Sequence, residues 1–256
     1  MLADKNVLVF AASGAVAGEV ARACAAHGAT VWLSARRGDA AEKLAAKIVE
    51  TGGRAHAARV DATDADGIDR YVADVAARAG TVDAVFNGIG GRPADLHYPS
   101  RVADLDLDGF LLPLQVIVGS QFLTSRAAGL VMAGQGHGSV VTLSATLSGM
   151  AAAYMANISA ACGAVEAMTR SLAGELGPSG VRVNCVRANA MPETRTIAET
   201  GAGQAAITGA APDFGLPPLG RPVTPAETAA TAAFLASDLA RGTTGQTLTV
   251  CAGQFV

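Results

Sequence analysis

A doubly wound α/β domain, with a parallel sheet of about seven strands and helices on both faces, is the fold class this sequence predicts. Two observations carry that expectation. Apolar runs of four to six residues alternate with longer Ala-rich stretches of helical character along the chain. Strict alternation of strand and helix gives parallel strands, because each helix crosses back over the sheet. Half of the 256 residues are hydrophobic and 16% are charged, so a sizeable core can be buried and intrinsic disorder is excluded.

The elements follow in order. Val7 to Phe10 is uniformly apolar, as a strand buried on both faces must be. A small-residue turn leads into a helix from about Gly18 to His27, which Gly28 stops. Val31 to Ser34 is the second strand, Ala40 to Glu50 a helix, and Thr51-Gly52-Gly53 its exit. Ala55 to Val60 is the third strand, Ile68 to Arg78 a helix, and Val82 to Phe86 the fourth strand. A long helix is expected from about Leu112 to Met132, ended by Gly136 to Gly138. Ser139 to Leu143 is the fifth strand, Ile158 to Leu176 a helix, and Val181 to Val186 the sixth strand. Pro225 suits a first helical turn, giving a helix to Ser237, and Thr247 to Val250 is the final strand. Met191 to Pro218 shows no clear periodicity and is expected to be a long loop of the functional-lid kind. No repeat or low-complexity linker interrupts the pattern, so residues 1–256 are expected to form one domain.

A net charge of −3 and a pI near 5.8 give no electrostatic footprint for nucleic acid or an anionic membrane. No apolar run approaches the roughly 20 residues of a membrane span. The start, MLADKNVLVF, lacks a basic n-region and a long apolar h-region. Cys24, Cys162, Cys185 and Cys251 are dispersed with no CxxC pair, so no zinc site is expected. Reduced thiols and no export signal point to the cytoplasm.

In a doubly wound sheet the ligand sits beyond the carboxyl ends of the strands, starting at the first strand–helix turn. That turn is Ala11-Ala12-Ser13-Gly14-Ala15-Val16-Ala17-Gly18. Its residues are small, but its two glycines match no full dinucleotide fingerprint. It is either a weakened cofactor cradle, through Ser13, Gly14 and Ala15, or a turn kept for packing. The second strand ends in Ser34-Ala35-Arg36-Arg37. An acidic residue there would bind ribose hydroxyls, whereas Arg36 would accommodate a 2′-phosphate, so any cofactor should be NADP(H).

The run Gly163 to Ala173, then Glu175-Leu176 and Gly180-Val181-Arg182-Val183-Asn184, resembles the active-site helix and following strand of the short-chain dehydrogenase/reductase family. Val82-Asp83, Asn87, Gly220-Arg221-Pro222, Phe234 to Asp238 and Thr244-Gly245-Gln246 extend that resemblance over essentially the whole chain. It implies a Rossmann-type fold, a nicotinamide cofactor, and a homotetramer or homodimer paired through the long helix and the helix from Ile158. It also implies cofactor contacts at Asp61 and Asn87, although Asp61 suits a helix-approach cap equally and Asn87 suits tying its own turn.

The departures are specific. The three glycine positions of the family's first turn fall on Ala11, Ala15 and Ala17. Its Tyr and its Lys four residues later fall on Ile158 and Cys162, its Ser on Ala145 beside Ser144, and its Asn near Ile117. The Pro-Gly pair after strand six becomes Ala188-Asn189, and the terminal Asp-Gly-Gly becomes Cys251-Ala252-Gly253. No lysine follows Lys47, so the basic partner is absent, not moved. A tyrosine of ordinary pKa, near 10, is a poor proton shuttle at pH 7.

Candidates left around the pocket are Asn87, Arg92, His97, Tyr98, Ser144, Tyr154, Asn157, Cys162, Arg187, Asn189 and Glu193. Tyr154, His97, Ser144 and Arg187 are the catalytic candidates, with Tyr154 and His97 as proton carriers and Arg187 as an oxyanion holder. Cys162 suits a small buried residue better than a nucleophile, since no base adjoins it. Three functions remain open on a small-molecule substrate. The leading expectation is a repurposed, non-redox enzyme of cyclase, isomerase or lyase type. The alternatives are an NADP(H)-dependent oxidoreductase with an unusual acid, and a non-catalytic binding protein. NADP(H) binding is expected to be weak or absent, and no metal is expected.

Overall fold

The computed structural model describes residues 1–213 and 215–254. Seven strands form one sheet: β1 (Asn6–Phe10), β2 (Thr30–Ala35), β3 (Arg54–Arg59), β4 (Ala84–Asn87), β5 (Gly138–Ala145), β6 (Val181–Ala188) and β7 (Thr247–Val250). Their spatial order is β3-β2-β1-β4-β5-β6-β7, and all paired neighbours are parallel. The order reverses between β1 and β4, so the cleft of this fold opens at the carboxyl ends of those strands.

Among the described residues the α-helices are α1 (Ala15–Ala26), α2 (Gly38–Glu50), α3 (Ala65–Ala79), α4 (Leu107–Pro113), α5 (Gly119–Gln135), α6 (Ala156–Leu176), α7 (Arg195–Thr208) and α8 (Pro225–Ala236). Strand alternation divides the core between the two faces. Val7, Val9, Val31 and Leu33 pack with Val20 of α1, Leu44 of α2 and Leu235 of α8. Leu8, Phe10 and Trp32 turn the other way, onto Ile68 of α3, Met132 of α5 and Leu176 of α6. Helix ends follow local chemistry. Gly80 and Gly136 close α3 and α5 in the left-handed conformation. Thr224 and Glu227 form a reciprocal capping box that starts α8.

Two expectations are corrected. Residues 191–218 are not all loop, since α7 occupies fourteen of them. The long helix is also longer and less regular than its pattern suggests. A π-helical segment, Leu114–Val118, joins α4 to α5, giving one helical run from Leu107 to Gln135. That run is apolar and long enough to cross a membrane by length and composition, but half of its most apolar window is buried in the fold. Gln121 docks it on the sheet: its Nε2 donates to the Leu143 carbonyl at 2.8 Å, and its Oε1 accepts from the Leu143 N–H at 3.0 Å.

Candidate functional site

The first turn, between β1 and α1, is sharply kinked at its first residue. Ala11 adopts φ +57°, the left-handed region that glycine occupies freely and an L-residue occupies at a cost. This kink lets the Ala12 N–H reach the Ser34 carbonyl at 3.0 Å and the Gly14 N–H reach the Ala11 carbonyl at 2.8 Å. Ala17 is buried beneath the turn and faces Gly88, where an added Cβ would come within 2.7 Å of the Ala17 methyl. The methyl is therefore tolerated because residue 88 has no side chain. Helix α1 begins with no side-chain cap and no acidic residue in its first turn. Ser13, Gly14 and Ala15 are exposed at its lip, and Arg36 and Arg37 are exposed at the end of β2.

Asp61 lies exposed after β3. Its Oδ1 accepts from the Thr63 N–H at 3.0 Å and the Thr63 hydroxyl at 2.8 Å. The bond from the Thr63 backbone is the main cause holding this carboxyl below its usual range, with the Arg36 charge adding to it. The N-cap position of α3 is Asp64, not Asp61, and its side chain makes no capping hydrogen bond. Asn87 is buried and ties the turn after β4: it donates to the Ser120 carbonyl and Thr124 hydroxyl and accepts from the Ile89 N–H.

Ile117, Ile158 and Cys162 are buried together in one apolar cluster, against which Ala145 packs. Leu96, Tyr98, Met155, Val165 and Cys185 complete its centre. Burial pushes the Cys162 thiol up to about 11, so it is neutral at pH 7. Burial likewise pushes the Tyr98 phenol up to about 12, with Cys162 and Glu199 adding to the shift.

One turn after Cys162, Glu166 holds a polar group beside this cluster. Its carboxylate accepts from Arg187 Nε at 2.8 Å and also from Arg187 Nη2. Ser144 and Ser148 donate to the same carboxylate at 2.7 and 2.6 Å. Burial alone would raise the Glu166 carboxyl, but the bonds from Arg187, Ser148 and Ser144 outweigh it and hold the group below its usual range. Ser144 is thus engaged by Glu166, and Arg187 forms an ion pair while remaining 28% exposed.

The other candidates are spread over the loop after β4, the start of α6 and the segment after β6. His97 is exposed, in the left-handed conformation, and Tyr154 is half-exposed at φ +66°. Asn157 is buried and structural, donating to the carbonyls of Leu96, His97 and Gly109. Arg92 pairs with Glu199 of α7 at 3.3 Å, while Glu193 is exposed. Asn189 accepts from Thr146 and donates to Gln254, closing the ends of β5 and β6 against the C-terminal residues. Among the described residues no group of three or more His, Cys, Asp or Glu could hold a metal ion.

The short-chain dehydrogenase model described as enoyl-(acyl carrier protein) reductase matches residues 11–254. The chain belongs to the short-chain dehydrogenase/reductase family. An L-rhamnose 1-dehydrogenase (NAD(P)(+)) of Azotobacter vinelandii is 30% identical, over 100% of this chain and 98% of its own. A short-chain type dehydrogenase/reductase structure from Mycobacterium ulcerans superposes with a TM-score of 0.86 at 25% identity, covering 99% and 90% of the two chains. A 7α-hydroxysteroid dehydrogenase complexed with NADH and 7-oxo glycochenodeoxycholic acid superposes with a TM-score of 0.87 at 25% identity, covering 98% and 94%.

These findings overturn the non-redox expectation, because the short-chain dehydrogenase/reductase relatives that match along the full length are dehydrogenases and reductases. That expectation gave too much weight to replaced side chains and too little to the cleft. The residues of the first turn fit a nicotinamide dinucleotide. The kink at Ala11 survives, the α1 N-terminus is uncapped, and a Cβ on Gly14 would stand only 3.2 Å from the Ala11 carbonyl. Sequence reasoning missed Glu166 and α7. Glu166 lies inside the run that carries the family resemblance, but its partner Arg187 lies on another element, so no local spacing marks the pair. The Ala- and Gly-rich α7 has too weak an apolar stripe to be recognised by period.

Proposed function

We propose that the chain is an NADP(H)-dependent oxidoreductase of the short-chain type that interconverts a carbonyl and an alcohol on a small molecule. The carrying observation is the first turn, whose backbone holds the glycine conformation at Ala11 and leaves the α1 N-terminus open. Uncapped N–H groups at a helix N-terminus favour a pyrophosphate. Exposed Arg36 and Arg37 favour a 2′-phosphate over the bare ribose hydroxyls of NADH. When bound, the cofactor supplies or accepts the hydride at the carbonyl carbon. The protein's part is to hold the substrate against the strand ends, exclude water with the apolar residues around Ile158 and Cys162, and move one proton at the substrate oxygen. The family's Tyr and Lys positions are Ile158 and Cys162, and no lysine follows Lys47. The reading is therefore of a divergent member with another proton donor.

Calorimetric titration of the purified chain tests this. NADPH should bind on the order of micromolar, and NADH at least about tenfold more weakly. Arg36→Ala should cost NADPH about tenfold in affinity and leave NADH unchanged, since only one cofactor carries the phosphate. Equal losses for both would remove the 2′-phosphate argument, and no binding of either at millimolar concentration would end the reading.

A further inference from the structure

We propose that Tyr98, on the loop after β4, is the proton donor of this site, taking from another element the task that α6 does not perform. The inference rests on the oxidoreductase reading. The chain has three tyrosines, Tyr71, Tyr98 and Tyr154. Tyr71 belongs to α3 in the cluster with Phe10 and Ile68, and its unpartnered oxygen is enclosed, so no ligand reaches it. Tyr154 is half-exposed and lies outside the apolar cluster. Tyr98 alone packs with Ile158 and Cys162, where the family's Tyr and Lys would stand.

Its placement is built, not incidental. Asn157, the residue before Ile158, uses its one amide group to hold the carbonyls of Leu96 and His97, the two residues before Tyr98. The start of α6 and the Tyr98 loop are thereby fixed to each other. From the far side Pro99 packs on Gly203 of α7, where a Cβ would come within 2.8 Å, and Arg101 donates to the Ile207 carbonyl at 2.8 Å. Tyr98 is 7% exposed, yet among the described residues nothing hydrogen-bonds its hydroxyl, and its oxygen is not enclosed as that of Tyr71 is. An open hydroxyl on an otherwise buried ring is free to donate to a substrate oxygen.

The chemistry suits reduction. The carbonyl carbon gains the hydride and the C=O π pair moves onto oxygen. The Tyr98 O–H bond breaks, its proton goes to that oxygen, and water then returns a proton to the phenolate. Burial, Cys162 on α6 and Glu199 on α7 all keep the phenol protonated at neutral pH. An alkoxide is basic enough to take that proton.

The test compares the wild-type chain with Tyr98→Phe, which keeps the ring and removes only the hydroxyl. Two probes are used: 7-oxo glycochenodeoxycholic acid with NADPH, and L-rhamnose with NADP+. The variant should lower kcat for reduction by about 10²–10⁴-fold, with KM and the calorimetric NADPH affinity nearly unchanged. Added imidazole should restore part of the variant's rate and none of the wild type's. The phenolate absorbance lost in the variant should be the one that titrates near pH 12 in the wild type. A variant with wild-type kcat, or one that loses NADPH binding and thermal stability instead, overturns the role of Tyr98 and leaves the oxidoreductase reading standing. A wild type that neither binds NADPH nor turns over either probe overturns that reading itself.

Discussion

Glu166 is kept ionised inside the fold by donors from three elements: Arg187 on β6, Ser144 on β5 and Ser148 on the connection to α6. Its carboxyl sits below the usual range, so by linkage it adds stability above the unfolded value near 4.3, and that contribution is lost as pH falls through the folded value. Arg187→Ala removes the pairing charge and leaves a buried carboxylate with two hydroxyls. A fully buried pair broken in this way costs about 3–5 kcal/mol. Arg187 is 28% exposed, so solvent offsets part of this and about 2–3 kcal/mol is the expectation at pH 7. In the variant, burial dominates and the Glu166 carboxyl moves up. The stability gap to wild type should therefore narrow as pH is lowered from 7 towards 5. Urea unfolding at several pH values measures it, and a gap independent of pH would show that the ion pair does not set the Glu166 charge.

At the scale of elements, the first turn and the turn after β4 are coupled through one methyl group. Ala17 on α1 occupies the space that a side chain at Gly88 would need, and a Cβ there would also meet Phe86 at 3.0 Å. Gly88→Ala should cost about 1–3 kcal/mol by overpacking. In an Ala17→Gly background the same change should cost clearly less, and additive losses in a double-mutant cycle would refute the coupling. Ala11→Gly works in the opposite direction. It relieves about 1–2 kcal/mol of left-handed strain and gives back about 0.4–1 kcal/mol through the freer unfolded chain, so thermal unfolding should show a small gain. Elements differ in how plainly the sequence announces them. Helices stopped by Gly28, Gly80 and Gly136 carry their ends in the residue type, because only glycine takes those backbone angles cheaply. The strands β1 and β2 announce themselves by apolar runs buried on both faces. Helix α7 does not, since it buries only Thr200 fully and is held by long-range contacts such as Arg92 to Glu199. The Tyr98 site has the same character: its parts come from the β4 loop, α6 and α7, and no local spacing links them.

At the scale of the whole molecule, one long helix keeps two large apolar side chains in water. Helix α5 presents Phe122 at 43% and Leu130 at 63% exposure, while its opposite side packs on the sheet. Single exposed apolar residues are ordinary, but two large ones on the helix through which the family resemblance pairs subunits make that helix the expected contact. We expect a homodimer or homotetramer. Sedimentation of the wild type should give a multiple of 25.5 kDa. Phe122→Glu and Leu130→Asp place charges at positions already open to water, so neither should disturb the folded subunit. In a self-associated chain the same charges would be trapped against their symmetry copies, where like charges are costly. The double variant should sediment as a monomer with a circular dichroism spectrum like that of the wild type. A wild type that sediments at 25.5 kDa across the micromolar range would remove the α5 contact, and an assembled double variant would move the contact to another face.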